Sequence, residues 1–434
     1  GEYHMFYQWF PLGPVHGIKY WYHVSSTDLV NWKDCGMALS PTEYFESHGV
    51  FSGSGIAHEE QLYLMYTGNT RDEAWVRTPY QCVAIMNKAG EMTKLDKAVI
   101  NGSPAGYTDH FRDPKVFKVN DVFYALIGAQ TDEEIGTVVY YESKDLLTWE
   151  FKGEIKTTFK GNGFMWECPD YFELNNQAVM VLSPQGMAPE GDKYQNIFQS
   201  GYLVGNPIDF NKGDFAHGEF TELDRGFEFY APQTMEDQTG RRLLVGWMGL
   251  PEVDSISSEN GWVHCLTVPR ELSLNGTKLI QKPVEELKLL RTNKKEITAS
   301  INQEEKSFEG ISGQVYEMMC EFTDISGTSI GVKLRQGKTE ETVFTYDLNE
   351  KKLILDRSQS GRLSGDEYGH VRRCDFNADY LKLQIFVDVS SIEIFVNDGE
   401  EVFTTRIYTD ALSNDISFFA NGSTNVNVQL WDIK

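Results

Sequence analysis

Two carboxylates keep unusual company in this chain: Asp113 in FRDPK and Glu167 in MWECPDY. Arg112 beside Asp113 can anchor a negative or hydroxyl-rich group. Trp166 beside Glu167 can keep water from a carboxyl, an environment suited to an acid catalyst. Carboxylates converging among aromatics are what glycoside hydrolysis uses, one protonating the leaving oxygen while another attacks or stabilises the cationic sugar. Cys168 adjoins Glu167, but no His in its motif completes a Cys–His pair, so it reads as packing. His16 in GPVHG and His264 in GWVHCLTVPREL can each hold a hydroxyl or phosphate, or simply pack. There is no glycine-rich phosphate loop, HExxH motif or metal-ligand cluster, and the NDG turn at Asn397 is too short for a calcium loop. Neither a metal nor a cofactor is expected.

These residues sit in a repeated pattern of strand, turn and strand. The apolar cores LYLMYTG, VFYALIG, AVMVLSP and LLVGWMG begin at Leu62, Val122, Ala178 and Leu243, spaced 60, 56 and 65 residues apart. Ahead of each lies a segment with an aromatic start: Phe51-Ser-Gly-Ser, Phe111-Arg-Asp-Pro, Trp166-Glu-Cys-Pro and Tyr230-Ala-Pro-Gln. The opening GEYHMFYQW reads as the second half of a fifth copy, the start of that first blade missing. A second echo pairs SSTDLVNW, ending at Trp32, with ESKDLLTW, ending at Trp149. Strand-rich periods of this length imply a closed radial array, because one unit cannot bury both of its faces. The expectation is an all-β, five-bladed propeller over residues 1–290, in which the aromatic-start segments meet at the central channel.

Composition changes near Arg291. The polar stretch TNKKEITASINQEEKSFEG reads as an exposed linker, and a C-terminal β-sandwich is expected over residues 300–434. There YLKLQIFVDV alternates, with Leu381, Leu383, Ile385 and Val387 on one face and Lys382, Gln384 and Asp388 on the other. Asn397-Asp398-Gly399 marks a tight turn. Helix signal is confined to a short connection near Pro283 to Leu290.

The 434 residues carry a net charge of -25, which disfavours nucleic acid and anionic membrane as partners. Aromatics make up 13% of the chain, a composition suited to strands and to surfaces that handle sugars. No apolar run approaches the ~20 residues of a spanning helix. The start shows neither an initiator Met nor a signal peptide, and a mature, trimmed or truncated product fits. Cys35, Cys82, Cys168, Cys265, Cys320 and Cys374 form no CxxC pair, which favours reduced thiols and a cytoplasmic protein, with secretion as the alternative. The sequons at Asn101, Asn275 and Asn421 matter only in a glycosylating pathway.

The motifs YHMFYQWFPLGPVHG, YWYHVSSTDLVNW, FSGSGI, FRDPKVF, MWECPDYF, FYAPQT, RRLLVGWMG, VPRELSL and SIEIFVNDG, in this order, resemble the β-fructofuranosidases of glycoside hydrolase family 32. The resemblance implies a five-bladed propeller followed by a sandwich, and hydrolysis of terminal nonreducing β-D-fructofuranosides by a retaining double displacement. By its motifs, Glu167 is the acid/base and Asp113 the transition-state stabiliser. Gln8, Phe51, Ser52, Arg112 and Trp247 line the fructose pocket, and His16 stands where many relatives carry tryptophan. The nucleophilic aspartate of the family's WMNDPNG-like motif, which precedes the glutamine matched by Gln8, has no counterpart in the seven residues before Gln8. Asp28 could replace it only by leaving the SxxDLxxW element, which reads as structural. Small-molecule fructosides are the expected partners: sucrose, sucrose 6-phosphate, or the fructans inulin and levan, with an idle fructan-binding protein as the alternative to an enzyme. His16, Lys19 and Arg77 are candidate phosphate donors. Oligomeric state is left open.

Overall fold

The computed structural model describes residues 1–434 as strands joined by turns and four short 3₁₀ helices. The first sheet holds β1 (Tyr3–Trp9), β2 (Tyr20–Ser26) and β3 (Trp32–Leu39), antiparallel and in chain order. The second holds β4 (Val50–His58), β5 (Gln61–Arg71), β6 (Arg77–Met86) and β7 (Met92–Lys94), with β8 (Ile100–Asn101) on β6. The third runs β9 (Tyr107–Val119), β10 (Val122–Thr131), β11 (Gly136–Ser143) and β12 (Glu150–Glu154). In the fourth lie β13 (Met165–Leu174), β14 (Gln177–Gln185), β15 (Gly201–Gly205) and β16 (Thr221–Glu222). The fifth is built from β17 (Tyr230–Glu236), β18 (Arg242–Met248), β20 (Arg270–Asn275) and β21 (Lys278–Pro283), with β19 (Cys265–Leu266) on β18.

The repeated apolar cores are the second strands of sheets two to five, and their uninterrupted hydrophobicity follows from burial on both faces. In β10, Ala125 and Ile127 enter the core shared with the second sheet, while Leu126 enters the core shared with the fourth. The same division sends Val179 and Val181 one way and Met180 and Leu182 the other in β14. The ring closes where Leu29, Tyr3 and Trp32 of the first sheet pack with Leu243, Val284 and Leu287 beside the fifth. Five sheets and five intervening cores make the propeller expected from the repeats.

The SxxDLxxW echo is a turn rather than a site. Asp28 accepts hydrogen bonds from the amides of Val30 (3.0 Å) and Asn31 (2.7 Å), and Asp145 does the same for Leu147 (2.9 Å) and Thr148 (2.7 Å). Leu29 and Leu146 take left-handed φ values of 61° and 65°, and Trp32 and Trp149 each donate their indole N–H to the carbonyl of that leucine. Asp28 is therefore a turn-builder.

The remaining residues form one curled nine-stranded sheet, folded into a sandwich. It contains β22 (Arg291–Ser312), β23 (Tyr316–Gln336), β24 (Glu341–Asp347), β25 (Lys352–Gln359), β26 (Val371–Asp375), β27 (Leu381–Asp388), β28 (Ser391–Val396), β29 (Glu401–Arg406) and β30 (Asp415–Ile433). Strand β23 bends between layers: Tyr316–Phe322 pairs with β27 and Ser329–Leu334 with β24, while β30 follows its other edge. Strand β27 alternates as expected, with Leu381, Leu383, Ile385 and Val387 buried. The stretch read as a linker is instead the 22-residue strand β22, paired with β30 from Arg291–Ile433 onward. Its polar composition misleads because an outer strand of a curved sheet wets most of its surface. The connection at Glu285–Leu290 is a 3₁₀ helix.

Buried arginines join propeller to sandwich. Arg270 of β20 is fully buried and donates to Asp224 (3.1 Å), Glu393 (2.9 Å) and Thr404 (2.8 Å). Arg225 reaches Glu401 at 2.9 Å, and Arg357 reaches Glu228 at 2.6 Å.

Candidate active site

The leading strands β4, β9, β13 and β17 lie next to one another around the channel, and each is bulged at its aromatic-start segment. Pairing skips Phe51-Ser52 in β4, Asp113-Pro114 in β9, Cys168-Pro169 in β13 and Ala231-Pro232 in β17. In the last three, a non-glycine residue with φ of 66°, 47° or 48° precedes the proline. A proline offers no amide to the ladder, so a bulge is where a strand interior tolerates it. Backbone held in this way costs about 1–3 kcal/mol per residue and is typical of places where a side chain must be aimed. Here the bulges turn Asp113 and Glu167 into a common cavity.

Glu167 is held on both oxygens. Oε1 accepts from Arg112 Nε at 2.8 Å, and Oε2 accepts from Gln185 Nε2 at 2.9 Å and from the Tyr230 hydroxyl at 2.6 Å. Its side chain is only 16% exposed. Trp166 beside it is buried, its indole tied to the Asn162 carbonyl at 2.7 Å. Gly128 of β10 faces the Trp166 carbonyl so closely that a Cβ there would lie 2.1 Å from the oxygen, which explains the glycine that ends this repeat. Arg112 also donates to His110 Nδ1 at 3.0 Å. Burial, then the positive field of Arg112, holds the imidazole of His110 down to about 4, so it is a neutral acceptor.

Asp113 is buried one bulge away. Its Oδ2 accepts from the Cys168 amide at 3.1 Å, and its own amide donates to Thr67 Oγ1 at 3.0 Å. Burial, reinforced by the charge of Glu167, raises its carboxyl to about 6, while Arg112 opposes the rise. The Cys168 thiol lies 3.6 Å from the same oxygen and is pushed well above its ordinary value by burial, consistent with packing rather than nucleophilic attack.

Every site residue singled out in the sequence borders this one cavity of roughly 2930 Å³: Gln8, His16, Phe51, Ser52, Arg112, Asp113, Glu167 and Trp247. Gln8 Nε2 donates to Ser52 Oγ at 3.0 Å, bridging the first and second sheets. Trp247 stands edge-on to Tyr230 and to His264, with centroids 6.3 and 4.9 Å away. His264 borders the cavity too, its imidazole held down to about 4 chiefly by burial. Asp28 does not border it.

Tyr230, Gln185, His110 and Thr67 were not singled out as site residues. Tyr230 begins the fourth aromatic-start segment, so its place in the repeat was the available signal. Gln185 follows the AVMVLSP core and carries no such mark.

The arrangement offers a carboxyl fixed by three donors, a second carboxylate beside it and aromatic walls, which suits protonation of a departing oxygen on a hydroxyl-rich ring. Residues 1–283 match the family described as "Glycosyl hydrolases family 32 N-terminal domain", and residues 286–432 match "Glycosyl hydrolases family 32 C terminal". The chain is 44% identical over 435 residues to a sucrose-6-phosphate hydrolase of Staphylococcus xylosus, covering 100% of this chain and 88% of that protein. Among solved structures, sucrose-6-phosphate hydrolase from Lactobacillus gasseri superposes with a TM-score of 0.93 at 35% identity, covering 100% of this chain and 88% of that one. A mutant of the Bombyx mori GH32 beta-fructofuranosidase, solved in complex with sucrose, gives a TM-score of 0.85 at 32% identity, with 100% and 89% covered.

Proposed function

The chain belongs to glycosyl hydrolase family 32, and from that premise we propose that it hydrolyses terminal nonreducing β-D-fructofuranoside bonds of sucrose or sucrose 6-phosphate with retention at the anomeric carbon. The observation that carries this reading is Glu167, held by Arg112, Gln185 and Tyr230 in the cavity that also contains Asp113, Gln8 and Ser52.

In a form that carries the family's aspartate, the first step is its attack on the anomeric C2 while Glu167 gives its proton to the departing glycosidic oxygen. In the second, Glu167 takes a proton from water, which attacks C2 and releases the aspartate. Retention calls for about 5–5.5 Å between the attacking and protonating carboxyls. Asp113 takes the stabiliser's part: Oδ2 accepts from the Cys168 amide, and Oδ1 is left to hold fructosyl hydroxyls. Gln8, Ser52, Phe51 and Trp247 shape the fructose subsite. The six unpaired cysteines support our further inference of a cytoplasmic protein.

Replacement of Glu167 by Gln keeps the shape and removes the proton. In full-length protein it is expected to lower kcat by about 10²–10⁴-fold on sucrose; wild-type turnover in this variant would refute the assignment. Assay of residues 1–434 beside a form extended to carry a WMNDPNG-like motif separates a hydrolase from an idle fructan binder. Side-by-side kcat/KM for sucrose, sucrose 6-phosphate, inulin and levan sets the substrate class.

A further inference from the structure

Between β14 and β15 the chain leaves the site and returns to it. Gln185, the last residue of β14, donates to Glu167 Oε2, and Phe198 comes back to form a β-bridge with Gln185. The return is stitched by the Gln199 amide, which donates to the Pro184 carbonyl at 3.1 Å, and by the hydroxyls of Ser183 and Ser200, which meet at 2.9 Å. Phe198 is buried, and its ring lies against Tyr230 in one small apolar cluster, with centroids 6.0 Å apart. Both donors to Glu167 Oε2, Gln185 and Tyr230, therefore rest on the segment that ends at Phe198.

The far side of that segment is held by the sandwich. Arg372 of β26 is 5% exposed and makes five hydrogen bonds. Nε and Nη2 donate to Asn196 Oδ1 at 3.3 and 2.7 Å, and Nη2 also donates to the Gln195 carbonyl at 3.3 Å. Nη1 donates to the carbonyls of Tyr368 and Val371 at 3.0 and 3.1 Å. None of these acceptors is a carboxylate. The acidic groups nearby are taken, Glu228 by Arg357 at 2.6 Å and Glu222 by Arg225 at 2.8 Å. Burying a charge without an opposite partner is costly, so this guanidinium is not there to form an ion pair. What it supplies is geometry: stacked 4.2 Å from the centre of the Phe227 ring, its planar fork fixes two consecutive residues, which a flexible ammonium with three donors would not. Asn196 passes the hold inward, since Gln199 Nε2 donates to its carbonyl at 2.7 Å while its own Nδ2 donates to the Gly226 carbonyl at 3.1 Å. Lys352 of β25 adds a second tie from the sandwich, to Asp192 at 2.6 Å.

We propose that Arg372 of the sandwich is a positioning residue for the acid/base of the propeller: by pinning Gln195 and Asn196 it holds Phe198, and through Phe198 it keeps Gln185 and Tyr230 in register with Glu167. This role rests on the reading of Glu167 as the proton donor. Arg372 does not border the cavity, so its influence travels through the segment and not through substrate. With the segment loosened, Oε2 loses the donors that aim it, and a misplacement of about 1 Å can cost 10²-fold in rate. The sandwich thereby completes the support of a carboxyl that lies in the other domain.

The test compares kcat/KM on two fructosides in full-length protein: sucrose, whose leaving oxygen needs a proton, and para-nitrophenyl β-D-fructofuranoside, whose leaving group departs without one. A variant that merely lowers the folded fraction loses equally on both; one that misplaces the acid loses on sucrose alone. Arg372→Met should lower kcat/KM on sucrose by about 10- to 100-fold and leave the aryl fructoside within about 3-fold of wild type. Arg372→Lys should recover only part of the loss, having the charge without the fork. Asn196→Ala, which removes the acceptor and leaves Arg372 in place, should show the same selective loss and carries the test if Arg372→Met does not fold. Lys278→Met breaks a different contact between the domains, the 2.7 Å pair with Glu401, and should leave the ratio of the two substrates unchanged. Glu167→Gln is measured alongside and should lose on sucrose far more than on the aryl fructoside. A selective loss in Glu167→Gln with equal or no losses in Arg372→Met and Asn196→Ala would overturn the positioning role alone. Equal losses on both fructosides in Glu167→Gln would sink the acid/base reading, and the positioning role with it.

Discussion

The phenolic hydroxyl of Tyr230 donates to Oε2 of Glu167 across 2.6 Å, from the fifth sheet of the propeller to the fourth. Tyr230 itself is buried, and its oxygen also lies 3.2 Å from the Ser183 carbonyl, so the phenol has little freedom to leave. Glu167 is thereby aimed by a neighbouring blade as well as by its own bulge.

Removing that hydroxyl with Tyr230→Phe leaves the ring packing and frees one oxygen of Glu167. A lost hydrogen bond to a charged group is worth about 1.5–3 kcal/mol, so kcat on sucrose should fall roughly 10- to 100-fold. KM should change little, since the phenol is spent on Glu167. Equal kcat in the variant, or a loss expressed only in KM, would remove Tyr230 from the positioning of the acid.

Asp113 should leave a mark on stability as a function of pH. Its carboxyl rises from 3.8 to about 6 in the fold, so between those values the native state holds a proton that the unfolded chain has released. The stabilisation from this proton is complete below about pH 4 and lost as pH climbs through 6. Asp113→Asn removes the dependence. Relative to wild type, the variant should gain stability as pH rises from 4 to 7. Thermal midpoints at both pH values check this, and a difference that is flat or of opposite sign contradicts it.

Lys115 and Asp170 form a buried ion pair of 2.9 Å joining the third and fourth sheets, and the Thr234 amide adds the fifth by donating to Asp170 at 2.8 Å. Asp170→Asn strands a buried ammonium, a change that costs about 3–5 kcal/mol. The midpoint of thermal unfolding should fall by several degrees. Replacing both partners, as Lys115→Met with Asp170→Leu, should recover part of the loss, because no isolated charge remains; a double variant worse than the single would argue against this account.

Strand β22 should resist proteases. Its backbone is paired with β30 from Arg291 onward, whereas Leu12 and Val15, in the turn before β2, are 84% and 62% exposed. Brief digestion with a broad-specificity protease should cut between Pro11 and Ile18 before it cuts between Arg291 and Gly310. Early cleavage in the latter range would mean that β22 detaches readily.

Much of this fold was legible in the linear pattern. Alternation in Leu381 to Val387 and the spacing of the apolar cores are set by strand geometry, which acts between close neighbours in sequence. The polar stretch after Arg291 was misread because composition reports exposure, and an outer strand can be exposed while fully paired.

By itself the sequence determined the five-unit repeat, the turns built by Asp28 and Asp145, and the residue types at the site, since each depends on interactions within a few residues. Tertiary structure alone decided how those types meet. Arg112 and Glu167 are separated by 55 residues and Tyr230 and Glu167 by 63, distances over which no local rule sets orientation. Ring closure brings the leading strands together, and the bulges at Asp113, Cys168 and Ala231 rotate the side chains into the channel. The physical reason is that a bulge changes which face a residue presents, and whether a strand bulges depends on the partner strand and the blade packed against it.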